Sequence, residues 1–300
     1  MLEEPLDIQD FMKMEITRDF IRSKRPCTAG YRWYLKRQED LSGYQQLLDD
    51  LVREGRIADA CWLLDQLGPT DDVLVLDALH AEAFVFAGSV VCKGPLEVGT
   101  VMRTGASLTV RGGVRVGRQL QVGGDLRVEG SVQCEGPLEV AGDTQVEWSL
   151  RVAGAVAANG HLRVGWEADC GGPAEVQGPV TVGQDLAAGA DFTCRSGMKV
   201  GGDVRVAGML EVARGVQSGE SVRVGGHLNC GWGLLAAHDI LAEGSIRVGE
   251  TLQAGGQIQS GQDYGVFAGL VTPMEAWEQC GFVRARARPE RLVSGWWAAA

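Results

Sequence analysis

From Phe84 onward an apolar side chain recurs every six residues: Val90, Leu96, Met102, Leu108, Val114, Leu120, Leu126, Val132, Leu138, and so on to Tyr264. Thr144 alone in this series is neither aliphatic nor aromatic. Two residues after each of these comes a second, smaller apolar position, as in Val98, Val110, Val116 and Val122, and the fifth position is often glycine. Residues i and i+2 of a strand face the same side, so each hexad predicts a three-residue strand with two inward groups, followed by a turn where glycine permits positive φ. Strands this short satisfy their backbones by stacking on copies of themselves. The predicted fold is mainly β: a triangular β-helix (solenoid) of hexad repeats, three per 18-residue coil and about ten coils in all, over residues 84–269.

An 18-residue coil places residues that far apart in columns. Trp148 and Trp166 share one, as do Asp185, Asp203 and Asp239. Cys92, Cys134, Cys170, Cys194 and Cys230 all fall on the second inward position, which predicts small core hydrophobes rather than disulfides. Cys134 and Cys170 lie two coils apart, about 9 to 10 Å, beyond the reach of a disulfide.

Residues 1–83 break the hexad pattern and form an N-terminal α-helical cap. Tyr44, Leu47, Leu48, Leu51 and Val52 repeat at helical spacing behind the cap candidate Ser42, and Gly55 ends the run. A second helix spans about Ile57 to Leu67 before Gly68-Pro69. Earlier helices are expected near Thr17 to Lys24 and Gly30 to Lys36, and Val73 to Leu76 feeds the first coil. At the other end, residues 270–300 form a capping tail, with a short helix over Pro273 to Gln279 and a strand over Phe282 to Arg288 that together cover the last coil. Blocked ends keep a terminal coil from acting as a sticky edge.

Charge narrows the choice of partner. The net charge of -11 argues against direct nucleic-acid binding, which needs a basic footprint. Residues 1–83 hold 17 acids against 10 bases, and 49–77 hold eight acids against Arg53 and Arg56 alone. The N-terminus lacks a signal-peptide pattern and no apolar run is long enough for a membrane span, so the expectation is a cytoplasmic chain without membrane contact.

No convergent catalytic set is visible. His161, His227 and His238 fall at turn positions in three different columns, the cysteines lack metal-ligand spacing, and Cys27 before a helix start has no histidine near it in sequence. We therefore expect a protein that is not an enzyme, with no metal and no cofactor. Its candidate partner-binding residues are Asp49, Asp50, Glu54, Asp71 and Asp72, offered to a basic partner, and the corner tryptophans Trp148, Trp166 and Trp232, with Leu235 and Leu241 replacing polar groups at mid-strand.

The chain resembles a group of bacterial β-solenoid proteins with an N-terminal helical module. The resemblance rests on Cys27-Thr-Ala-Gly30-Tyr-Arg-Trp33, on the Trp62-Leu-Leu-Asp-Gln-Leu-Gly-Pro69 segment and on the hexads that follow. Some members look like partners of interbacterial toxins, which implies an immunity protein that neutralises a basic, nuclease-type toxin domain by direct binding. The hexads also resemble those of bactofilins, which implies a polymer-forming structural protein, and of hexapeptide-repeat acyltransferases. In the latter the small residue comes first and loops interrupt the coil, whereas here the large residue leads.

Overall fold

The computed structural model describes residues 18–37 and 43–298. Four helices, α1 (Arg18–Ser23), α2 (Thr28–Arg37), α3 (Tyr44–Arg53) and α4 (Ile57–Leu67), precede a parallel β-solenoid of three sheets. Sheet A opens with Val73–Leu76 and has thirteen strands, sheet B opens with Leu79–Ala81 and has eleven, and sheet C opens with Phe84–Phe86 and has twelve. The solenoid thus makes about thirteen turns rather than about ten. The chain begins coiling before the hexads are regular, with partners 16 residues apart in the first pair of sheet A (Val73↔Ser89), 17 in sheet B (Leu79↔Leu96) and 18 in sheet C (Phe84↔Met102).

The inward positions read from the sequence are the core. Val90, Leu96, Leu108, Leu120, Leu126 and Leu150 are fully buried, and the mid-strand residues between inward pairs face out. The hexads stop at Ile258, because two extra residues shift the next inward group to Val266, partner of Ile246. Tyr264 is instead exposed and meets His227 edge-on at 5.1 Å. All eight cysteines are free thiols, and Cys134, Val152 and Cys170 share a column.

The turn glycines have a different role from the one expected. Positive φ among glycines occurs only at Gly55, Gly68, Gly269 and Gly295, outside the regular repeat. At the corners a Cβ would collide with the previous coil, at 1.7 Å from the Arg118 carbonyl for Gly136 and 2.0 Å from the Ala87 carbonyl for Gly105. Close approach, rather than left-handed backbone, selects glycine there.

Corner polar side chains stitch one coil to the next. Asp125 accepts the Asp143 N–H at 3.0 Å and Asp143 accepts the His161 N–H at 2.9 Å. On another corner Asp185, Asp203 and Asp239 accept the N–H groups of Asp203, Ser221 and Gln257. Each carboxylate satisfies a turn donor one coil, 18 residues, further on, which would otherwise lack a ladder partner.

The ends are closed by different means. At the first coil, Gln45 of α3 donates to the Val85 carbonyl at 3.0 Å and accepts the Ala87 N–H at 2.9 Å, while Thr70 N–H donates to the Ala87 carbonyl. One side-chain amide takes the place of a missing strand at the free edge of sheet C. The expected cap Ser42 lies outside the described residues, and Gly43 precedes α3 without a side-chain cap. Helix α2 starts at Thr28, ahead of Gly30, and Thr17 lies outside the described residues. The tail continues the coil as well as ending it. Phe282–Arg284, Leu292–Ser294 and Trp296–Ala298 pair as further strands of sheets A and C, so the predicted strand over Phe282 to Arg288 ends at Arg284. A 3-10 turn (Met274–Ala276) and α5 (Trp277–Cys280) lie between. Trp297 pairs with the buried inward Val283 and packs on the end of the core.

Candidate functional site

The helical module docks on the outward surface of sheet C at the first coils. Val85 and Ala87 belong to the module's hydrophobic cluster together with Leu47, Leu48, Leu63 and Leu64. Arg103, at an outward mid-strand position, is 8% exposed, pairs with Asp65 and donates to the Cys61 carbonyl at 3.0 Å. Burial works against its charge, but the Asp65 hydrogen bond and charge prevail and raise its pKa. This pair ties α4 to the rod.

The acidic stretch is largely taken up in contacts of this kind. Asp50 is 9% exposed and paired with Arg53, Asp59 with Arg56, Asp65 with Arg103, and Asp77 with Lys93 at 3.0 Å. Glu54 accepts the Trp33 indole N–H. Of the predicted acidic residues, Asp49, Asp71 and Asp72 are the exposed ones, with Asp49 accepting from Gln45 and Asp72 from Thr70. Spacing in sequence exposed the charge excess but not these pairings.

The motif Cys27, Gly30, Trp33 has a local explanation. Cys27 sits just before α2, where its sulfur accepts the Gly30 N–H at 3.1 Å and donates to Asp59 at 3.5 Å. A Cβ on Gly30 would lie 3.2 Å from that sulfur and 3.5 Å from Asp59 Oδ1, so glycine leaves room for α4 to approach. Arg56 lies over the Trp33 ring at 5.8 Å. The arrangement locks α2 to α4, and none of the four histidines joins it. His161, His227 and His238 stand at three different corners of the rod and His80 on sheet B.

Outside the module the three faces differ sharply. The outward column of sheet C carries Glu139, Glu175 and Glu211 in alternate coils. A notch of about 430 Å³ separates the end of α4 from this face, with Asp65 and Glu139 in its lining. Sheet B carries Arg115, Arg151, Arg205 and Arg223, each with a carboxylate partner: Glu97, Asp169, Asp185 with Asp203, and Asp203. Sheet A has no aspartate or glutamate in any of its thirteen strands.

The three predicted tryptophans all border sheet A. Trp148 and Trp166 stand on the corner between sheets A and B, where the Trp166 N–H donates to the Trp148 carbonyl at 3.0 Å. Trp232 stands on the corner between sheets C and A, with the Arg214 guanidinium 5.5 Å from its ring centroid. They remain 61%, 49% and 51% exposed, so the tail does not cover them, and Trp296 packs against Phe282 and Trp277 instead. Leu235 forms the floor of a groove of about 770 Å³ beside Trp232, and the second mid-strand leucine, Leu241, lies on sheet B. The acidic residues and the corner tryptophans, expected to serve one interface, thus lie on different sides of the rod.

Buried thiols are held neutral. Burial pushes Cys170 up to about 12 and Cys230 up to about 11. Among the described residues there is no cluster of three or more metal-ligating side chains, and no helix is long and apolar enough to cross a membrane.

Residues 14–67, the stretch containing α1 to α4, match the family described as the YdhT N-terminal domain. The match ends before the first solenoid strand. No curated protein and no solved structure matches the chain.

Proposed function

We propose that this chain is a non-catalytic protein-binding scaffold that neutralises a basic partner, a nuclease-type bacterial toxin domain, by direct binding. The observation that carries this reading is the acidic side of the rod. The module leaves Asp49, Asp71 and Asp72 exposed, and the sheet C column beyond it carries Glu139, Glu175 and Glu211. Nuclease domains hold phosphates in basic clefts, and a preorganised carboxylate surface occludes such a cleft at low entropic cost. The notch between α4 and sheet C fits a basic side chain inserted between Asp65 and Glu139.

The measurement is association with a purified cognate toxin domain by surface plasmon resonance at two salt concentrations. Asp49, Asp71, Asp72 and Glu139 changed together to the amides should slow association and flatten its salt dependence, leaving dissociation less affected. Unchanged association in that variant would remove the acidic side from the interface. A polymer-forming role finds less support, because Gln45 and Thr70 occupy the strand edge that an incoming copy would need at sheet C.

A further inference from the structure

We propose that the outward face of sheet A is a second binding surface, for an extended acidic protein segment in polyproline II conformation lying along the rod axis. This goes beyond the acidic side and does not depend on it. The argument starts from spacing. Along sheet A the outward column reads Arg127, Gln145, Arg163, Thr181, Lys199, Gln217, so that a cation stands in every second coil and a neutral polar group between. Neighbouring strands lie about 4.8 Å apart, which spaces the cations by about 9.6 Å. A polyproline II helix has three residues per turn at about 3.1 Å each and returns to the same face every ~9.3 Å. An extended β segment returns every ~6.8 Å and an α-helix every ~5.4 Å, and neither keeps step with the column. Carboxylates at every third residue of a polyproline II segment do.

Charge complementarity supplies the second part. Among the described residues Arg163 and Lys199 have no carboxylate partner, whereas every outward arginine of sheet B has one. Arg127 pairs with Asp125 at 3.2 Å but is mostly exposed. A row of uncompensated cations on a strongly acidic protein favours an anionic ligand over a neutral one. The aromatic groups supply the third part. Beyond Lys199 the track enters the groove of about 770 Å³ lined by Pro179, Arg214, Trp232 and Leu235, and aromatic-lined grooves are the usual seat of polyproline II segments.

The test is fluorescence-anisotropy titration of the full chain with a peptide of about six Pro-Pro-Glu repeats, against a peptide of the same composition with its glutamates in one block. The spaced peptide should bind several-fold more tightly, and added salt should weaken it. Arg163→Gln with Lys199→Gln should reduce affinity about tenfold, and Trp232→Ala should also weaken binding. Arg205→Gln with Arg223→Gln on sheet B, and the amide variant of the acidic side, should leave it unchanged. Failure of either peptide to bind, equal affinity for the two, or equal loss in the sheet B variant would each overturn the proposal. Circular dichroism of each variant separates lost binding from lost folding. The toxin-association measurement uses a different surface, so either reading can fail while the other stands.

Discussion

Sheets A and B are built from the same kind of three-residue strand, lie against the same core and favour arginine at outward mid-strand positions. On sheet B the arginines are answered by carboxylates from neighbouring coils, and Asp203 serves both Arg205 and Arg223. On sheet A the neighbours are Gln145, Thr181 and Gln217, which leave Arg163 and Lys199 to the solvent. The difference shows that a residue's role on a solenoid is set by what stands 18 residues before and after it. Stability comes from the shared interior, and the surface is free to diverge.

The sharpest way to break this division is through the interior. Val164, an inward residue of sheet A at 1% exposure, should tolerate no charge: Val164→Asp strands a carboxylate in the core and costs several kcal/mol. Its melting temperature at neutral pH should fall steeply, and a wild-type value would refute the inward assignment. The interior of sheet B should show itself in alkali. Cys170 has its pKa raised from 9.0 to about 12, so the unfolded chain loses this proton first. The associated stability is complete below about pH 9 and is lost as pH rises toward 12. Cys170→Ala should flatten that alkaline slope in chemical denaturation.

Surface changes should be smaller and should separate the two faces. Asp203→Ala removes a corner acceptor for the Ser221 N–H together with the partner of Arg205 and Arg223, and should cost about 1 to 2 kcal/mol. Arg163→Gln, the corresponding change on sheet A, should stay within about 0.5 kcal/mol. Comparable losses from the two would erase the contrast between the faces. Thr144, also in sheet A, is buried with its hydroxyl unsatisfied among the described residues, so Thr144→Val should raise stability by about 1 kcal/mol in the same denaturation experiment.

The solenoid was legible because its period is short and its core positions are apolar almost without exception. Leu96 to Ile258 can be assigned inward by counting in sixes. Counting failed where the backbone departs from the count: the compressed first coil from Val73, and the two residues that move the inward role from Tyr264 to Val266. The repeat glycines were visible but their reason was not, since a collision 18 residues away cannot be seen in a local turn pattern. The candidate surfaces were half legible. Trp148, Trp166 and Trp232 were identified as exposed, yet their common border with sheet A needs the assignment of each hexad to a sheet. The carboxylates of 49–77 read as a patch because Asp50, Asp59 and Asp65 meet their arginines only once the helices and the rod are folded. Arg103 looked like one more surface arginine and is instead the buried link to α4.

The corner ladders also carry a direction in time. Each accepting side chain, such as Asp125 for Asp143 or Asp185 for Asp203, comes 18 residues earlier than the N–H it receives. During synthesis from the N-terminus, a finished coil already presents the acceptors that its successor needs. Every strand pairing is equally local in sequence, which gives this all-β chain the short contact separations associated with fast folding. With the first strand edge of sheet C seated on Gln45, the remaining coils have a template on which to add one at a time, and Trp297, arriving last, marks where addition ends.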